Sequence, residues 1–291
     1  MRISGIVTSF TFALLISVPA WAADVAKTDL CAVSEVNGKV YGEGGIVDAD
    51  GVDSDGKFQG VGSLSIPLGC QLGMQFDAGA GSFGAADAFG AGAHLFMRDP
   101  ESYLLGIHGT YENWDFDGVS DSVDVWHVGA EAEFYFDNLS LEAWAGLQDT
   151  SVTGTDFFAR LTAAAYVTDD LRLAAGFRHS DDFNSGVING EWQLSSMPLS
   201  LTAEAEFGED SYMALTAGIK FYFGSADKSL IDRHRQDDPV DGLFDFIGAA
   251  AGIAEKLDGG PVVDGNCNDG NSQDGCCVDG NCEDEVVTVS D

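Results

Sequence analysis

The sequence predicts an all-β protein: a closed, up-and-down antiparallel transmembrane β-barrel of about twelve strands, followed by a partly helical and disordered C-terminal extension. Three observations carry this reading. Apolar and polar residues alternate with a period of two from Val36 to Phe223, and the apolar phase holds no charged residue. After the first 23 residues no apolar run approaches the roughly 18 residues that a spanning helix needs. The composition fits a barrel. Of 291 residues, 48 are Asp or Glu and 13 are Lys or Arg, a net charge of −35, which argues against a nucleic-acid-binding face. With 45% hydrophobic and 11% aromatic residues, the chain still has enough apolar surface to fold.

Residues 1–23 read as a secretory signal peptide: Arg2 supplies the positive end, Ile3 to Val18 the apolar core, and Ala20-Trp21-Ala22 a small-residue cleavage site. Export permits disulfides in the six cysteines. Residues 24–35 form an N-terminal periplasmic segment, 36–223 the barrel, 224–258 a partly helical periplasmic extension, and 259–291 an acidic Cys-rich tail.

The twelve alternating segments are 36–47, 58–66, 71–80, 88–97, 103–112, 124–136, 139–148, 156–167, 171–179, 186–194, 199–207 and 212–223. Most are near the 9–11 residues of a tilted membrane strand. In Trp126 to Phe136 one face is Trp, Val, Ala, Ala, Phe, Phe and the other is His, Gly, Glu, Glu, Tyr. Successive side chains of a strand point to opposite faces, so the first set lines one wall and the second the other. Tight turns at Arg98-Asp99-Pro100-Glu101, Asp137-Asn138, Thr168-Asp169-Asp170 and Ser195-Ser196-Met197-Pro198 alternate with Asp/Gly-rich connections at 48–57, 113–123, 149–155 and 180–185. Short inner turns and longer outer loops are the outer-membrane arrangement.

Charge placement separates this barrel from a soluble one, whose polar phase would face outward. A charge facing lipid at the midplane costs about 2–4 kcal/mol, and none occurs there. The charged phase is assigned to the lumen: Lys39, Glu43, Asp77, Glu112, Glu131, Glu133, Glu142, Arg160, Arg172, Arg178, Glu191, Glu204, Glu206 and Lys220. Acids on segments six and seven, arginines on eight and nine, and acids on ten and eleven alternate around the wall. Aromatics of the apolar phase gather at strand ends, Phe58, Phe89, Tyr111 and Trp126 at one end and Phe134, Phe136, Phe221 and Phe223 at the other, as interfacial girdles do.

Over residues 36–223 the chain resembles the Gram-negative outer-membrane β-barrel proteins, in their small porin-like branch. The most specific piece is Gly218-Ile219-Lys220-Phe221-Tyr222-Phe223, similar to the terminal glycine-x-x-aromatic-x-aromatic pattern of that class, although 68 residues follow it here. The resemblance implies that Gly218, Phe221 and Phe223 are read by the barrel assembly machinery, and that the bilayer and small solutes are the partners.

The expected function is a narrow porin-like channel in the outer membrane, with both terminal segments periplasmic. Nine inward acids against five inward bases make the expected preference cationic. A closed structural or adhesive barrel, with the same charges tied up as inter-strand salt bridges, is the alternative. An outer-membrane hydrolase is a third, with His127 near Asp124, His179 near Ser180, Asp181 and Asp182, and His108 as candidate bases. No cofactor is expected. Asp48, Asp50, Asp53 and Asp55 offer carboxylates with glycine as calcium loops do, but without the spacing of an EF-hand, so a solvated acidic loop is the simpler reading.

In the extension, Ser229 to Arg235 and Leu243 to Leu257 read as short helices, the second striped by Leu243, Phe246, Ile247, Ala250 and Ile253. It could plug the barrel from below, lie on the membrane or contact a partner. Cys31 and Cys70 both fall on the inner side and are expected to pair. Cys267, Cys276, Cys277 and Cys282 favour disulfides over a zinc site, because paired C-x2-C knuckles are lacking and the compartment is oxidising.

Overall fold

The computed structural model describes residues 30–49, 52–116, 122–181, 183–194, 197–209, 211–224 and 227–246. The signal peptide and the four tail cysteines lie outside them. Twelve strands form one sheet: β1 (Asn37–Ala49), β2 (Val52–Pro67), β3 (Leu72–Phe83), β4 (Ala86–Asp99), β5 (Tyr103–Phe116), β6 (Val123–Phe136), β7 (Leu139–Thr150), β8 (Gly154–Thr168), β9 (Leu171–Ser180), β10 (Phe183–Gln193), β11 (Leu199–Gly208) and β12 (Met213–Phe223). Each pairs antiparallel with its neighbours, and β1 pairs with both β2 and β12, closing the barrel.

The closing seam explains Gly218. It lies opposite Glu43, and a Cβ there would come within 2.5 Å of both the Glu43 side chain and the Gly42 carbonyl. Phe221 and Phe223 stand on the outer wall beside the same seam.

The outer wall is apolar. Phe58, Phe89, Trp126, Leu147, Phe157, Ile188 and Ile219 are among its exposed members, and such a continuous apolar surface requires lipid rather than water around it. At the rim away from the barrel's chain ends the outward phase turns acidic, with Asp87, Asp115, Asp124 and Asp149 following Phe89, Tyr111, Trp126 and Leu147 on their strands. That step from aromatic to carboxylate marks where the wall leaves the bilayer.

The strands run past this step, so the connections at 48–57, 113–123, 149–155 and 180–185 are shorter than the sequence suggested. The first is a tight hairpin with Ala49 opposite Val52, and Val47 pairs with Asp55 in the ladder. Asp48 and Asp55 therefore belong to strands rather than to a calcium-type loop; Asp50 and the side chain of Asp53 lie outside the described residues. Above the bilayer the outward face meets water and accepts Asp and Ser, while Trp114, Phe116, Val123 and Val125 make the inward face apolar, so the two phases exchange character and the alternation no longer reports the strand.

At the rim carrying the barrel's ends, Cys31 and Cys70 form a disulfide. The Ala32 amide donates to the Cys70 carbonyl at 2.7 Å. This folds the N-terminal segment inward, and fully buried Val33 packs with Phe96, Leu104 and Tyr135.

Candidate functional site: a lumen filled by the chain's own C-terminal segment

The second segment inside the barrel is residues 227–246. The sequence assigned it to the extension after the barrel and left open that the apolar stripe plugs the lumen; residues 227–246 do climb through the lumen. The Ser229 hydroxyl caps a short helix, α1 (Leu230–Asp232), which continues as a π-helical turn, Arg233–Asp237. Pro239 ends it, because the residue before a proline is pushed out of the helical region, and Asp238 has φ −127° and ψ 85°. The helix predicted from Leu243 is a turn over Leu243–Phe246, and residues 247–257 lie outside the described residues.

Each step of the climb is tied to the wall. Leu230 is buried between Tyr166 and Tyr222, whose hydroxyls bond His234 at 2.9 and 3.1 Å. The Arg233 Nε donates to Gln193 at 2.8 Å. Asp237 accepts from the amide and hydroxyl of Ser34 at 2.9 and 2.7 Å, joining the two inserted segments. Lys39 Nζ lies 2.6 Å from Asp238 and 3.0 Å from Asp241, and the Tyr41 hydroxyl donates to Asp241 at 2.9 Å. Arg160 pairs with Asp245 and donates to the Asp241 carbonyl at 2.9 Å, while Arg178 meets Asp245 at 3.2 Å.

Above these ion pairs the contacts become apolar. Leu243 and Phe244 join Val61, Phe83, Trp114, Phe116, Val123 and Val125 in one buried cluster. Phe246 packs with Trp144 and Phe158. Phe244 adopts φ 61°, a left-handed conformation that is costly for an aromatic residue. Its ring contacts with Phe83 and Trp114, and an amide bond to Glu112 at 3.0 Å, hold it there.

All thirteen lumen candidates from Glu43 to Lys220 sit on the inward phase, buried or partly buried, together with Lys39. Most pair with one another. Arg172 forks onto both oxygens of Glu142 at 2.8 and 2.9 Å, and Arg178 bridges Glu204 and Glu206. Lys220 meets Glu191 at 2.8 Å, and Glu43 accepts from Thr202 and Gln59. Between wall and segment, among the described residues, a cavity of about 150 Å³ remains, lined by Glu43, Arg172, Asn189, Glu204 and Lys220 among others.

Two inward bases were missed. Lys57 was read as a loop residue and Arg98 as part of a turn, yet both are buried inside, Arg98 facing Glu133 at 3.8 Å. Both follow the inward phase of their strands once β2 and β4 are given their true lengths. The apolar floor of the far lumen was also missed; its trace in the sequence is Trp114-x-Phe116 and Val123-x-Val125, apolar residues in the phase opposite the lipid face.

Among the described residues, neither His127 nor His179 hydrogen-bonds the acid or serine read beside it in the sequence. His127 bonds Gln148 at 2.9 Å and Thr110 at 3.2 Å, whereas Asp124 is held by Tyr111 and Asn113 on the outward phase. His179 bonds Asn184, and Ser180 turns to Gln148.

Fold and wall together define the class: a twelve-stranded transmembrane β-barrel whose lumen is occupied by its own chain. Solved outer-membrane barrels are similar in fold. The KdgM porin aligns with a TM-score of 0.47 at 8% identity, over 64% of this chain and 98% of that one. Omp33 of Acinetobacter baumannii aligns at 0.42 with 11% identity, over 64% and 98%. The translocator domain of autotransporter NalP from Neisseria meningitidis aligns at 0.43 with 13% identity, over 65% and 87%. No protein-family model matches the chain, and no curated protein does.

Proposed function

We propose that this protein is a narrow outer-membrane channel for small solutes, held closed by residues 227–246 and cation-preferring when that segment leaves. The observation that carries the reading is how the segment is held. It is joined to the wall by ion pairs at Lys39, Arg160 and Arg178 and by side-chain packing, and among the described residues no disulfide ties it to the wall. What it covers is a wall of nine acids and seven bases, counting Lys57 and Arg98. Such a surface demands water once uncovered, because an unpaired charge cannot stay in a dry interior. The inserted segments enter at the rim with the barrel's chain ends, which this reading assigns to the periplasm. The aspartates of the opposite rim then face the exterior and concentrate cations at the mouth.

Selectivity tests the sign. With a salt gradient across a planar bilayer, the reversal potential of the opened barrel is expected to report cation preference. Anion preference would overturn that part of the proposal. The apolar cluster around Trp114 supports a second reading, a closed structural barrel acting through its rim or tail. That reading predicts a barrel which stays silent after the segment is removed.

A further inference from the structure

We infer that Asp77, His94 and His108, with Glu131 holding the far side of the His94 ring, form a site for one divalent transition-metal ion of zinc type in the lumen wall. The four residues stand on four consecutive strands, β3 to β6. His94 lies directly opposite His108, Asp77 opposite Gly92, and Glu131 opposite Gly106. His94 bonds Glu131 through Nδ1 at 2.7 Å and Asp77 through Nε2 at 3.0 Å. Two acidic side chains thus converge on one imidazole, on opposite edges of its ring.

His108 is the unexplained member. It is 1% exposed and stacked between His94 and Trp144, with ring centroids 3.5 and 4.2 Å away. Neither of its nitrogens has a hydrogen-bond partner among the described residues, nor does Oε1 of Glu131. Two idle imidazole nitrogens and an idle carboxylate oxygen in one buried cluster are costly unless something binds them. A nitrogen of His94, a nitrogen of His108 and an oxygen of Asp77 lie within 4.8 Å of one another. Tetrahedral zinc ligands at about 2.0–2.2 Å from the ion stand about 3.4 Å apart. Closing that gap takes about 1 Å of movement and a turn of the His108 ring.

Supporting contacts orient the ligand atoms. Gln75 donates to Oδ1 of Asp77 at 2.9 Å, which keeps Oδ2 toward the histidines. Gly106 makes room for Glu131, since a Cβ there would lie 2.6 Å from Oε1. Two imidazoles with one carboxylate, leaving a fourth position to water, suit zinc or cobalt rather than calcium or magnesium, which take all-oxygen sets. Gly242 of the inserted segment lies against His108, so the segment caps the site and the ion enters as the barrel folds.

The test folds the full-length chain with Zn²⁺ or Co²⁺, dialyses it, and measures retained metal by mass spectrometry. Heat-dependent gel mobility confirms that the barrel is folded. About one equivalent is expected. Losing an outer-shell partner alone costs 10–100-fold in affinity, so Asp77→Asn and His108→Gln should each weaken binding at least about tenfold. His108→Phe, which keeps the stack on Trp144, should do the same if glutamine does not fold. The Co²⁺ protein should show weak d–d bands without thiolate charge transfer, separating this site from the tail cysteines. Folded protein without metal, equal retention in the variants, or a thiolate band would each overturn the inference.

Discussion

A chain ended at Gly224 is expected to conduct ions steadily across a planar bilayer in which the full-length protein is silent. The barrel itself should survive the truncation. Its twelve strands pair without help from residues 227–246, and the seam between β1 and β12 is closed by backbone bonds and the Gly218 contact. What the truncation removes is the partner set of Lys39 and Arg160 and the fill of the aromatic cluster at Trp114, Trp144 and Phe158. The newly bared charges then recruit water at the level of Lys39 and Arg160, and loss of Leu243, Phe244 and Phe246 leaves open space in the aromatic cluster beyond them. A folded but silent truncation would instead mean that the wall closes on itself and that the barrel's role is structural.

The second large effect comes from charge alone. Asp238→Asn, Asp241→Asn and Asp245→Asn together leave Lys39 and Arg160 facing neutral amides in a buried setting, while Arg178 keeps Glu204 and Glu206. Breaking one partner of a buried pair typically costs about 3–5 kcal/mol, and each 1.4 kcal/mol is tenfold in an equilibrium. The full-length triple variant should therefore open intermittently, with the same unit conductance as the truncated chain and a lower open probability. Openings of a different size would show that the segment shifts within the lumen rather than leaving it.

The barrel was legible because lipid imposes a strict rule. A phase of period two that stays uncharged between the two rims is what a lipid-facing wall demands, and the inward charges follow from it by alternation. The strand ends were not legible, because at the far rim water accepts Asp and Ser on the outward face while the inward face turns apolar, which reverses the phase. The inserted segment was only half legible. The apolar spacing at Leu243, Phe246 and Ile247 says that these residues need cover without saying what covers them, and a helix is the usual product of that spacing. The complementary trace lay in the wall, where Trp114, Trp144 and Phe158 occupy the inward, otherwise polar phase. Aromatics there require a partner inside the lumen, and alternation along the strands does not say which part of the chain provides it. The His94 and His108 pair was hidden for a different reason: residues 94 and 108 meet only through the register of β4 and β5.

The gated channel and the capped histidine site both require residues 227–246 to sit inside the barrel. Gly90 on β4 and Leu243 of the segment face each other, and a Cβ at Gly90 would lie 3.1 Å from the Leu243 side chain. Gly90→Cys combined with Leu243→Cys, oxidised mildly in folded full-length protein, tests this most directly. A disulfide formed in nearly every molecule, mapped between residues 90 and 243 by peptide mass, is the result this structure predicts. Both cysteines remaining free, with the one at position 243 reacting with a membrane-impermeant maleimide, would contradict it.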